Sequence, residues 1–121
     1  MQELGPNQEK WLQALESGNW NQVSGRLGDH RGHCCIGVAC EVMGLQHKRD
    51  EDGDFVYDGA SGNAPQSLVE WLALHDEEGS AYEPDDDMSS LVELNDCEKC
   101  TFKKIAEAVR ANPPAYFREP R

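Results

Sequence analysis

The sequence is short of basic residues, short of aromatic rings and without any long apolar run. Eleven Lys and Arg stand against 23 Asp and Glu, a formal net charge of -12 over 121 residues. Nonspecific affinity for nucleic acid comes mainly from Lys and Arg on phosphate, so this balance argues against direct nucleic-acid binding, and equally against an anionic membrane surface. No stretch approaches the roughly 18 apolar residues of a membrane span. Met1-Gln2-Glu3-Leu4-Gly5-Pro6 has neither the basic start nor the apolar run of a secretory leader. Gly25-x-Leu27-Gly28 and Gly59-Ala60-Ser61-Gly62 lack the GxxxxGK(S/T) pattern of a phosphate loop and read as turns. The acidic stretch 75–87 lacks the alternating ligands and closing Glu of an EF-hand. No complete catalytic signature is present, and the expectation is a protein that is not an enzyme.

Five cysteines are present, an odd number. Without a leader they point to free thiols in a reducing cytoplasm rather than to a disulfide framework. A chain of this length fits one domain, 1–121, and folds without a disulfide or metal. Residues 1–6 and 113–121 read as loose ends, with Tyr116 and Phe117 able to fold back.

The densest apolar run, residues 34–45, predicts a central buried helix. Gly44-Leu45 supplies its stop, a left-handed glycine followed by a leucine folding onto the last turn. Before it, Asn7 is a candidate cap for a helix carrying Trp11, Leu12 and Leu15 on one face, ended by Ser17-Gly18. Gln22 to Leu27 alternates weakly as a short strand, and Gly28 to Gly32 reads as a hairpin loop. Residues 47–54 read as a charged turn around Asp52-Gly53, followed by a strand at Phe55-Val56-Tyr57. Pro65 opens a helix with Leu68, Val69, Trp71, Leu72 and Leu74 on its apolar side. Met88 to Leu94 forms a short helix that Asn95-Asp96 breaks. Thr101 caps the last helix, with Phe102, Ile105, Ala106 and Val109 in the cleanest amphipathic spacing of the chain. The sum is a helix-rich α+β domain, about five helices around the central one with a small two- or three-stranded sheet.

Several blocks, in one order, resemble a family of small, functionally uncharacterised proteins encoded by tailed phages and prophages. They are Leu15-x-Ser17-Gly18-x-Trp20-x-Gln22, Gly25-x-Leu27, Cys34-Cys35-Ile36-Gly37-Val38-Ala39-Cys40-Glu41-Val42, Pro65-x-x-Leu68 with Trp71-Leu72-Ala73-Leu74, Leu91-x-x-Leu94-Asn95-Asp96, and Thr101-Phe102-x-x-Ile105-Ala106. The likeness spans residues 12–110. It implies a shared fold and a phage accessory role in the host cytoplasm, with no reaction attached. Ala73 stands where that pattern often has Gly, and Cys97-x-x-Cys100 and His30-x-x-His33 are additions to it.

Three chemistries are open to these residues. Cys97 and Cys100 have the spacing that offers two thiolates to zinc, and His30, His33, Cys34, Cys35 or Cys40 could complete a structural tetrahedral site. The alternative is that Cys34, Cys35 and Cys40 are small core residues, as buried cysteine usually is. Cys34 or Cys35, at a helix start where the dipole lowers thiol pKa, could be a nucleophile with His30 or His33 as base, but no orienting group or oxyanion hole is visible. The third is binding. Trp11 and Trp71 fall on apolar helix faces, whereas Trp20 follows a turn and is a candidate contact. Asp85, Asp86 and Asp87 lie in an acidic loop suited to docking. The leading expectation is a non-enzymatic acidic protein that engages a protein partner with a basic surface. A structural zinc domain and a binder of a small nucleotide-like ligand are the alternatives.

Overall fold

The computed structural model describes residues 4–81, 90–96 and 100–121. Within them the chain forms six helices and two two-stranded antiparallel sheets: α1 Pro6–Glu16, β1 Gly28–Asp29, β2 Gly32–His33, α2 Cys35–Met43, β3 His47–Arg49, β4 Phe55–Tyr57, α3 Gln66–Leu72, α4 Leu91–Asp96, α5 Phe102–Ala111 and α6 Pro113–Tyr116. This is a small helix-rich α+β fold. Among the described residues no helix is long and apolar enough to cross a membrane.

Helix α2 is the centre. Cys35, Ile36, Gly37, Val38, Ala39 and Cys40 are all buried, so the helix is covered on nearly every side. It ends as its sequence requires: Gly44 is left-handed at φ 95°, and the Leu45 N–H returns to the Cys40 carbonyl at 3.0 Å. At its start, a Cβ on Gly37 would lie 1.9 Å from the Leu27 carbonyl oxygen, so only glycine permits that approach.

The ends of the chain differ from the loose segments expected. Gly5, not Asn7, is the N-cap of α1, because Pro6 at the first helical position has no N–H to satisfy. At the other end Phe117 is buried edge-on against Trp11, with centroids 6.2 Å apart, and the Arg118 N–H donates to Ala73 at 2.7 Å. Two apolar rings and a free peptide edge give this tail enough to bury, which a reading based on Pro113-Pro114 alone undervalued. Buried Gln8 ties it down: its Nε2 donates to Leu72 O at 2.8 Å and Glu119 O at 2.7 Å, while its Oε1 accepts from Gly5 N–H.

Three further expectations are corrected. Residues 22–27 form no strand, only a parallel bridge between Gln22 and His33, and Gly25 at φ 80° turns the chain away. The ladder instead lies inside the expected loop, with Gly28 opposite His33 and Asp29 opposite Gly32. Residues 47–49 are not turn but strand, with His47 opposite Tyr57 and Arg49 opposite Phe55. Finally, Asn95-Asp96 does not break α4 but completes it.

Asn95 is the reason. It is only 2% exposed, and its side chain joins three segments. Its Oδ1 accepts from Cys35 N–H at 3.0 Å, one of the first-turn donors of α2 that has no partner inside the helix. The same oxygen accepts from Gln22 Nε2 at 3.1 Å, and its Nδ2 donates to the Val23 carbonyl at 2.7 Å. Asp96 beside it accepts from Gly25 N–H at 3.0 Å. Replacing Asn95 with Ala strips these groups of partners in a dry setting and should lower unfolding free energy by about 2–4 kcal/mol. Urea melts with an unchanged slope would measure it; a loss below about 0.5 kcal/mol would show the amide to be incidental.

Candidate ligand-binding cleft

The β1–β2 and β3–β4 hairpins and residues 19–21 enclose an open cleft of about 480 Å³, within the size range of small-molecule sites. Alternation along β3 and β4 places His47 and Arg49, Phe55 and Tyr57 on one face, since side chains two apart share a side of a sheet. The His47 ring stacks on Phe55 with centroids 3.9 Å apart and planes 17° apart. The Arg49 guanidinium lies 5.6 Å from the Phe55 centroid. From the other hairpin, His33 stands edge-on to Trp20 at 5.2 Å and tilted to Phe55 at 5.6 Å.

Glu41, on the exposed side of α2, sits under these rings. Its Oε2 accepts from the Tyr57 hydroxyl at 2.5 Å and is 3.0 Å from His47 Nδ1. His33 Nε2 is 3.7 Å from the same oxygen, too far for a hydrogen bond, and is buried with no hydrogen-bond partner among the described residues. Burial pushes the His33 imidazole below its ordinary pKa, against the opposing pull of the Glu41 charge. Burial, then the bond to Glu41, pushes the Tyr57 phenol well above its usual range, so it stays a donor. On the rim, Arg31 Nη2 donates to Asp29 at 2.7 Å, and the Arg31 side-chain and backbone bonds hold that carboxyl well below the usual range.

Of the residues singled out in the sequence, Trp20, His30 and His33 line this cleft. Cys97, Asp85, Asp86 and Asp87 lie outside the described residues. Cys100 is half-buried, and its carbonyl accepts from Gln22 Nε2 at 2.9 Å. Among the described residues no three His, Cys, Asp or Glu side chains come together in a way that could hold a metal. The cysteines at the start of α2 also depart from the dipole argument. Cys34 is the N-cap and its Sγ accepts from Gly37 N–H at 3.3 Å, yet burial wins and pushes its pKa up to about 11. Cys35 and Cys40 are raised further, also by burial. The recess beside Cys34 measures only about 90 Å³ and is lined by Gly25, Arg26, Gly62, Val92, Asn95 and Asp96, with no imidazole.

Sequence reasoning missed His47, Arg49, Phe55, Tyr57 and Glu41. The signal was present: Asp52-Gly53 flanked by His47-x-Arg49 and Phe55-x-Tyr57 is a hairpin pattern that aligns these side chains on one face. Asp50 Oδ1 closes that turn by accepting from Asp52 N–H at 2.9 Å and Asp54 N–H at 3.0 Å.

The lowered His33 pKa has a consequence for stability. The unfolded chain takes up a proton on His33 near pH 6.5, while the folded chain takes it up at lower pH. The stabilisation is therefore complete above about pH 6.5 and is lost as pH falls through the folded value. The urea midpoint should drop between about pH 7.5 and about pH 5.5, and His33→Phe should flatten that drop. Parallel curves for the two proteins would refute the assignment.

Comparison with curated proteins and with solved structures finds no match. A family described as a domain of unknown function, DUF8296, matches residues 6–113, from the first residue of α1 to the first of α6. The match takes in α1 to α5 and both hairpins, leaving only the core residues Ala115, Tyr116 and Phe117 beyond its end, and the chain belongs to the DUF8296 family.

Proposed function

We propose that this protein is a non-enzymatic accessory protein of the tailed-phage type, acting in the host cytoplasm by engaging a protein partner with a basic surface. The observation that carries it is the distribution of charge. Of the basic side chains, Arg26, Arg31, Arg110, Arg118 and Arg121 are all held in ion pairs with the protein's own carboxylates. The acidic excess behind the net charge of -12 includes exposed Glu51, Asp52 and Glu107, which form no ion pair among the described residues. Such a surface steers a basic partner and repels nucleic acid.

The buried state of the thiols supports a role in binding over one in chemistry. The thiolate is the nucleophile, and Cys34, Cys35 and Cys40 are held protonated and covered. At neutral pH iodoacetamide should leave these three unmodified in the folded protein and label them in urea. Rapid labelling of any of them in the native state would overturn the non-enzymatic reading.

A second reading is favoured by the cleft. Its lining is aromatic and basic on an otherwise acidic protein, which suits a small nucleotide-like ligand. For the partner reading, the association rate with a purified partner should fall steeply as ionic strength rises from about 0.05 to about 0.5 M. An association rate indifferent to salt would sink the electrostatic role.

A further inference from the structure

We infer that the cleft between the two hairpins takes a nucleoside monophosphate, its base against Trp20 and the exposed His47 ring and its phosphate on the guanidinium groups of Arg31 and Arg49. The inference rests on the second reading above and deepens it.

Charge complementarity points to an anion. Arg31 and Arg49 bring the positive charge to this cleft; of the imidazoles beside them, burial lowers the His33 pKa and His47 sits 3.0 Å from the Glu41 carboxylate. The one carboxylate in the lining, Asp29, is already taken by Arg31 and Arg26. It is therefore neutralised and does not repel a phosphate. Arg49 has no ion pair among the described residues, and Arg31 keeps donors to spare: its bonds to Asp29 use Nε and Nη2, leaving Nη1. A planar fork with free N–H groups is the preferred receiver of phosphate oxygens.

The rings point to a flat partner. Trp20 is half-buried, packed against the core and edge-on to His33, so part of its surface is open. Phe55 is covered by the stacked His47 imidazole and the Arg49 guanidinium, so the exposed His47 ring is the planar surface that this hairpin offers to a heteroaromatic base. Stacking on such a platform contributes about 1–3 kcal/mol per base without demanding a particular base. Asn19 and Asn21 on the rim add polar contacts of the kind that orient a ligand. A longer nucleic acid would bring further phosphates against the acidic exterior, so the site fits one nucleotide and not a strand.

Isothermal titration of the full chain with AMP, UMP, their nucleosides, inorganic phosphate and a short oligonucleotide tests this. Each mononucleotide should bind with one site per chain, about tenfold or more tighter than its nucleoside or phosphate alone. Arg49→Gln, at an exposed strand position, should erase most of that advantage, weakening the nucleotide far more than its nucleoside. Trp20→Leu should weaken nucleotide and nucleoside alike. Melting curves of both variants establish that they remain folded. The inference is overturned by silence toward every nucleotide, by phosphate binding as tightly as nucleotide, by an oligonucleotide binding more tightly than either, or by an Arg49→Gln protein indistinguishable from wild type. Silence combined with intact, salt-sensitive capture of a basic partner removes this inference alone. Silence combined with no such partner removes the binding role as well.

Discussion

The buried amide of Asn95 is the constraint on which the rest of the architecture depends. A nine-residue helix has little stability of its own, so α2 persists because its surroundings hold it. Asn95 fixes its start by meeting the Cys35 N–H, and the same side chain fixes the 21–25 segment that runs beside β2. Trp11 Nε1 adds a bond to the Cys35 carbonyl at 2.9 Å, and the Cys35 thiol donates to Leu91 O at 3.5 Å. One turn of α2 is thereby joined to α1, α4 and the approach to the first hairpin. In an interior of low dielectric such satisfied polar contacts specify one arrangement, because any slippage leaves a donor bare. Gln8 does the same on the far side, joining α1 to the end of α3 and the C-terminal segment.

Much of this was legible in the residues. The helical periodicity of 102–109 and the Thr101 cap correspond to α5 as observed, and the Gly44-Leu45 stop ends α2 where expected. These are local signals, written within one turn of the element they describe. What was not legible depends on contacts across the chain. Asn95 reads locally as a helix breaker, and only its partners more than sixty residues away explain why it is inside a helix. Gln8 looks like a surface residue for the same reason. Residues 47–49 are charged and exposed, so no burial pattern marks them as a strand; pairing with β4 does.

The apolar blocks of the sequence and the polar residue beside them divide along the same line. Leu15, Cys35, Ile36, Leu68, Leu72, Leu91, Ile105 and Ala106 are core, while Asn95 is the buried amide. His47, Arg49, Phe55 and Tyr57 fall in the stretch between blocks. The cleft takes Trp20, His30 and His33 from the segment before α2 and His47 and Phe55 from the β3–β4 hairpin. Ala73 ends α3 in the left-handed region at φ 57°, a position glycine fills without strain, and its methyl is fully buried in compensation.

The sealed sulfurs of α2 bear on where such a protein could persist. A thiol held protonated and away from solvent is a poor target for peroxide or for exchange with another disulfide. Cys34, Cys35 and Cys40 thus make the core indifferent to redox potential. Crossing from a reducing to an oxidising medium would leave the helix and its neighbours as they are, and the abundance of cysteine in this segment carries no address.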